Sequence, residues 1–465
     1  MTTVDEARRL ERPRRPPPVA PVASKRTAAL QRPLASYYLV LASTGLLLAL
    51  GLVMVLSASS VRSYATYHSS YTIAVKQSIF IAVGLPAMWV ASRLPVRFWR
   101  VVAAPLLVLS VALLVLVLVP GVGKRVDGAT RWIPLPGSFN LQPSELAKLG
   151  LALWGADLLV RKKKLLGEWK HLFVPLLPAV CLLSALVMLE PDMGTTIVIV
   201  SVAMALLWVV GTPSRYFGVL LAVVVGLGSV LAVVNTERLQ RLTSFLHPFD
   251  DKLNTGYQAV QGLYALSSGG WLGLGLGASR EKWAGGLPNA HTDFVFAIVG
   301  EELGLLGTLT VLLLFATLVY AGIRIAKRTT DPFSRLAATG VTAWLASQSL
   351  VNIGAVVGLL PITGIPLPLI SFGGSALVPT LVGIGLLLSI ARREPGAPEA
   401  LAVRQSRVHR LLAPLRRRGR PAPRRPSRPA RAAAGRAPTA RAASGRAASG
   451  GSAQRGSRRP VVRSR

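Results

Sequence analysis

The run Asn289-Ala290-His291-Thr292-Asp293-Phe294 sets one carboxylate beside an imidazole at the mouth of an apolar segment, with Glu301 and Glu302 two to three turns further along. Two readings fit these residue types. Thr292 or Asp293 caps a helix start, or Asp293, at a water boundary beside a cationic loop, serves as a general base. Upstream, Arg238, Gln240, Arg241, His247, Asp250, Asp251, Tyr257 and Gln258 lead into Ser267-Ser268-Gly269-Gly270. Then come Gly273-Leu274-Gly275-Leu276-Gly277, Arg280, Lys282 and Trp283. The alternate glycines lack the strand-then-helix setting of a nucleotide fingerprint. They read instead as a flexible loop whose backbone can approach a ligand. The 5 histidines are too scattered for a zinc cluster.

Two further groups stand out because ionisable side chains in apolar surroundings need a partner or a job. Glu145 and Lys148 are three apart and share one helix face, as an internal ion pair or as the polar wall of a cavity. The preceding Gln142-Pro143-Ser144 suits a helix start, with proline in the first turn. Glu190-Pro191-Asp192-Met193-Gly194 makes a tight turn in which Asp192 caps the next helix or binds a ligand. Finally, Pro361-Ile362-Thr363-Gly364-Ile365-Pro366-Leu367-Pro368 and Ser371-Phe372-Gly373-Gly374-Ser375 forbid a regular helix. Irregular backbone at membrane depth is tolerated where protein shields it or a wet cavity adjoins it, so this loop should pack near the site.

The elements that must position these groups are membrane spans. Of 465 residues 51% are hydrophobic and 15% charged, which excludes a disordered or wholly solvent-exposed chain. About ten apolar stretches meet or approach the length of a spanning helix: near 38–59, 73–92, 101–119, 146–160, 173–189, 195–210, 217–234, 294–325, 336–359 and 369–390. An all-α polytopic membrane protein is expected. The basic clusters at Arg93, Arg97 and Arg100, at Arg161 to Lys164, and at Arg324, Lys327 and Arg328 fall on one side, which the positive-inside rule assigns to the cytoplasm together with both termini. The long outer segments are then 121–144 and 235–292, the latter between helices 7 and 8. Cys181, the single cysteine, is assigned to packing.

The net charge of +34 is largely local. Residues 1–36 form a basic, proline-rich tail, and 392–465 hold 21 arginines, no aromatic residue and no acid after Glu399. Such a composition cannot offset its chain entropy by burial, so this tail is expected to be disordered. Its charge suits anionic inner-leaflet lipid or an acidic segment of a cytosolic partner. Without aromatic stacking positions or a reading module, nucleic acid is not an expected partner.

Four runs in order, Gln142 to Glu145, Glu190 to Thr195, His291 to Phe294 with Gly300-Glu301-Glu302, and Pro361 to Pro368 with Ser371 to Ser375, resemble the SEDS family of bacterial cell-wall polymerases over about residues 37–391. Ala290-His291-Thr292-Asp293 and the long tails look most like the FtsW division branch of actinobacterial type, with the RodA elongation branch as the alternative. The resemblance implies a ten-span peptidoglycan glycosyltransferase that polymerises lipid II, an undecaprenyl-diphosphate-linked disaccharide pentapeptide, at the outer face of the membrane.

By position, Asp293 matches the family's outer-face carboxylate and is the expected catalytic base. Arg131, Glu145, Lys148, Arg238, Arg241, Gln258, His291 and Ser371 are the expected substrate-binding residues. Whether a divalent cation, Mg or Mn, assists the leaving diphosphate is left open. The chain holds no transpeptidase domain, so a class B penicillin-binding protein of FtsI type is the implied partner, alongside other division proteins. A lipid II flippase and a non-catalytic division scaffold are the rival readings; broken helices with buried charge suit the first.

Overall fold

The computed structural model describes residues 34–126, 129–136, 139–162, 175–213, 256–283 and 285–400, with a few single positions between 215 and 250. The chain divides into two units, 1–407 and 408–465, and all the described residues lie in the first. Most of the predicted seventh span, both candidate arginines Arg238 and Arg241, and most of the two tails lie outside the described residues.

The described elements are α1 (Ala35–Tyr67), α2 (Thr72–Arg93), α3 (Val96–Leu118), β1 (Lys124–Val126), β2 (Ala129–Leu135), β3 (Phe139–Leu141), α4 (Pro143–Arg161), α5 (Leu176–Leu189), α6 (Met193–Val210), α7 (Tyr257–Ser268), α8 (Val295–Arg328), α9 (Pro332–Val356) and α10 (Gly374–Ala391). Six of the helices are long and apolar enough to cross a bilayer, and the chain is a multi-pass membrane protein. Helices α4 and α9 open on a proline in the first turn, where the missing N–H has no helical partner to lose. Asp331 Oδ2 accepts from the Ser334 amide at 2.9 Å and so caps α9. Asp192 Oδ1 does the same for α6 through the Thr195 amide at 3.0 Å, while its Oδ2 accepts from the Thr195 hydroxyl at 2.9 Å.

Packing inverts the soluble pattern. Val101, Val108, Trp208, Leu313 and Leu350 face outward, whereas Ser43, Thr44, Gln77, Gln348 and Asn352 are buried. That distribution suits hydrocarbon outside and hydrogen-bonding glue between helices. Helix α10 lies against α2, α4 against α3, α8 against α1 and α9, and α9 also against α6. Cys181 corrects the packing expectation: it sits on the exposed face of α5 beside Leu182, where a small apolar thiol is at home against lipid.

Three features depart from a plain bundle. The segment after α3 folds as an antiparallel meander, with Arg125 opposite Thr130 and Ile133 opposite Leu141. The last helix starts at Gly374, five residues later than the apolar stretch suggests, because Leu369 takes a left-handed φ of 69° inside the proline-rich loop. Helix α8 is broken at Gly304, with φ 66° and ψ −162°, a conformation open essentially to glycine.

Candidate active site

A cavity of about 1100 Å³ opens between the ends of α1 and α2, strand β2, the turn before α6, α7, the residues leading into α8, and the 361–376 loop. Arg62, Lys76, Lys124 and Arg131 bring four cations to its wall, against the carboxylates of Asp192 and Asp293. Gln258 and His291 also line it.

The cap reading of Asp293 does not hold. Helix α8 begins at Val295, its cap residue is Phe294, and no side chain caps it. Asp293 instead accepts on Oδ1 from the Thr292 hydroxyl at 2.9 Å. Its main chain is fixed by Asn352, whose Nδ2 donates to Asp293 O at 2.7 Å and to Ile365 O at 2.8 Å. A side chain on Gly364 would place its Cβ 4.0 Å from both Asp293 Oδ2 and Arg131 Nη1, so these two groups flank one small space. The carboxylate is 9% exposed, dry enough to hold a fixed orientation yet open to the cavity.

Asp192, the second carboxylate, is committed elsewhere, to the cap of α6 and to Arg131 Nη1 at 4.0 Å. Arg131 also donates from Nε to Glu190 O at 3.0 Å and from Nη2 to Pro191 O. The guanidinium thus staples the β2 strand to the α5–α6 turn and still faces the cavity. Burial, reinforced by Asp192 and opposed by Arg131, pushes the Glu190 carboxyl up to about 9, so it is neutral at pH 7.

His291 is buried, and desolvation together with the Arg62 charge lowers its pKa to about 4. It is a neutral wall residue at physiological pH. Its ring centroid lies 5.8 Å from that of Phe372, and its carbonyl accepts from the Phe372 amide at 2.9 Å. The unfolded chain takes up a proton near 6.5, while the folded one refuses it until about 4. This group's stability contribution is therefore full above pH 6.5 and is lost as pH falls towards 4. Replacing His291 with Asn should flatten that acid slope by on the order of 1–3 kcal/mol, as read from thermal midpoints across pH 4 to 7.

Four of the nine residues expected at the site therefore share the cavity: Asp293, Arg131, Gln258 and His291. Gln258 reaches it from α7, with its amide 3.3 Å from Pro288 O. Glu145 and Lys148 form an ion pair of 2.8 Å, but both are 1% exposed and off the wall. Lys148 also donates to Gln348 Oε1 at 2.8 Å, and Gln348 Nε2 donates to Pro366 O at 3.0 Å. The pair thus supports the proline-rich loop from beneath. Ser371 supports the same loop by accepting from the Leu367 amide at 2.9 Å. Sequence reading missed Arg62, Lys76 and Lys124. A signal was available: Arg62 and Lys76 flank the α1–α2 turn within otherwise apolar helices.

The glycine run lies against the broken turn of α8. Leu274 and Gly275 donate their amides to Glu301 O and Glu302 O at 2.9 and 3.0 Å, so the run pairs with the broken turn of α8. A side chain on Gly273 would strike Glu302 O at 2.2 Å. The side chains of Glu301 and Glu302 anchor the segment from Ser279 to Lys282. Glu301 accepts from the Ser279 hydroxyl and the Arg280 amide at 2.5 and 2.6 Å, and Glu302 from Lys282 and the Ser57 hydroxyl at 3.3 and 2.6 Å. Ser279 and Lys282 have nucleophile-and-base spacing, but both are spent on these carboxylates. Ser57→Ala should cost about 1.5–3 kcal/mol by removing a hydrogen bond to a charged group, visible as a lower thermal midpoint. Among the described residues no three His, Cys, Asp or Glu side chains stand close enough to hold a metal.

The sequence profile of the FtsW/RodA/SpoVE family, described as a cell cycle protein, matches residues 37–395. A Mycobacterium tuberculosis protein named probable peptidoglycan glycosyltransferase FtsW is 45% identical over 384 residues, 82% of this chain and 73% of that one. Stage V sporulation protein E of Bacillus subtilis is 40% identical over 75% of this chain and 95% of its own. Among solved structures, a chain of the complex described as "Structural coordination of polymerization and crosslinking by a peptidoglycan synthase complex" aligns with a TM-score of 0.63 at 28% identity, over 76% of this chain and 96% of that one. Thermus thermophilus rod shape determining protein RodA aligns at 0.55 and 30% identity, over 78% and 98%. With the broken α8, the proline-rich loop and the cationic cavity in place, the chain belongs to the FtsW/RodA/SpoVE family.

Proposed function

We propose that this protein is a peptidoglycan glycosyltransferase of FtsW type, polymerising lipid II at the outer face of the cytoplasmic membrane during septal cell-wall synthesis. The observation that carries the reading is Asp293 on the wall of a cavity that also presents Arg62, Lys76, Lys124 and Arg131. Asp293 takes the proton of the acceptor sugar's 4-hydroxyl as that oxygen attacks the donor's anomeric carbon. The bond to the lipid diphosphate breaks, and the diphosphate leaves with the bonding pair. The cations stabilise the charge it gains in a site partly cleared of water. Because that leaving group needs no proton, one carboxylate suffices, unlike the pair in a glycosidase. Direct displacement inverts the anomeric centre, giving a β-linked strand from an α-linked donor.

Orientation with both termini in the cytoplasm follows from the basic loops. A class B penicillin-binding protein would cross-link the strands, since the described residues form no transpeptidase domain. The arginine-rich tail is assigned to anionic lipid or a cytosolic division partner. The test is polymerisation of labelled lipid II by the purified chain with such a partner, resolved on a gel. A ladder of strands supports the assignment; no ladder from folded, partner-bound protein overturns it.

A further inference from the structure

The part of α8 beyond its break, residues 305–328, has 24 residues, about 36 Å at 1.5 Å per residue, against a hydrocarbon core about 30 Å thick. The 20 or so residues needed to span, counted from its basic end at Arg324, Lys327 and Arg328, reach Gly304, where the helix breaks. The break therefore marks the outer edge of the hydrocarbon. At that level the loop after α7 docks: Leu305 and Leu306 donate their amides to Gly270 O and Trp271 O at 2.9 and 3.3 Å, and the α8 carbonyls take the amides of Leu274 and Gly275 in return. The pairing covers the middle of the loop, where the Gly273, Leu274 and Gly275 amides donate to Gly269 O, Glu301 O and Glu302 O.

Its side chains turn the other way. Trp271 is 74% exposed, Leu272 77% and Leu276 60%, while Leu306 and Leu313 of α8 continue the apolar surface inward at 54% and 67%. No charged residue occurs between Leu253 and Ser279. We propose that the loop Gly269–Gly277 is inserted into the outer leaflet, with Trp271 at the headgroup boundary and Leu272 and Leu276 against acyl chains. Tryptophan at that depth, beside apolar neighbours in a stretch with no charged side chain of its own, is the composition of a membrane-interface anchor. The occupant of this surface is lipid, because the loop is continuous with the lipid-facing leucines of α8 and sits at the level the helix arithmetic gives. The anchor fixes the height of the cavity relative to the bilayer, since the loop is bonded to α8 at Glu301, Glu302, Leu305 and Leu306, eight to thirteen residues past Asp293 on the cavity wall.

The test uses the full chain with Cys181 replaced by Ala, leaving no other cysteine, and single cysteines at position 272 or 276 carrying a spin label in lipid nanodiscs. Positions 313, on the lipid face of α8, and 125, on the exposed β1 strand, serve as references. Labels at 272 and 276 should collide several-fold more with oxygen than with a water-soluble nickel complex, as at 313 and opposite to 125. Collision ratios like those at 125 would overturn the proposal. So would shielding from both probes that appears only when a class B partner is added, because protein rather than lipid would then cover the loop.

Discussion

An Asp293→Asn protein should insert, pack and bind lipid-linked donor as the unaltered protein does, yet polymerise about 10²–10⁴-fold more slowly, the usual contribution of a positioned base. Asparagine keeps the shape, and its carbonyl can accept the Thr292 hydroxyl as Oδ1 does at 2.9 Å. The main-chain tie to Asn352 uses no side-chain atom of residue 293. What is lost is the basic oxygen on the Gly364 side, next to Arg131. Proton abstraction matters only in the transition state, so kcat should fall while KM stays near its normal value. A variant whose KM rises with kcat unchanged would make Asp293 a binding residue instead.

The second large effect is on stability. Lys148→Met should lower unfolding stability by about 3–5 kcal/mol, because it strands the Glu145 carboxylate without its partner inside the bundle. Lys148 serves three groups at once: Glu145 and Gln348 at 2.8 Å each, and the face of Trp344 at 5.3 Å. Replacing both members, Glu145→Gln with Lys148→Met, should recover much of the loss, since a buried pair is weakly stabilising relative to neutral residues. Thermal midpoints in detergent decide the matter. A single variant that melts like the parent would mean Glu145 is reached by water or carries its own proton.

Two of the ties around the cavity were legible because spacing alone placed them. Asp192 caps α6, and Glu145 and Lys148 pair across three residues, both from local geometry that a linear reading can see. The helix-terminus reading of Asp293 failed because α8 starts two residues later, and chain direction alone does not fix that start. The pairing of the glycine run was hidden for a different reason: its partners, Glu301 O and Glu302 O, lie more than 25 residues along the chain. No local pattern announces a loop that mends a broken helix. The β-meander had a signal, since β-branched and aromatic residues from Thr130 to Ile133 follow an Asp-Gly step, but hydropathy windows average it away. Gln348 and Asn352 were invisible because buried amides on a polar helix face look like any others until the loop they bind is folded against them.

The central claim is that the cavity around Asp293 performs glycan synthesis rather than transport. It is tested most directly with the purified protein and a class B partner reconstituted in vesicles, with labelled lipid II supplied only to the leaflet the cavity faces. Strand formation and inward movement of the label are then followed together. Long glycan strands, without lipid II crossing the bilayer, are the predicted result. Lipid II appearing in the opposite leaflet while no strands form would contradict it.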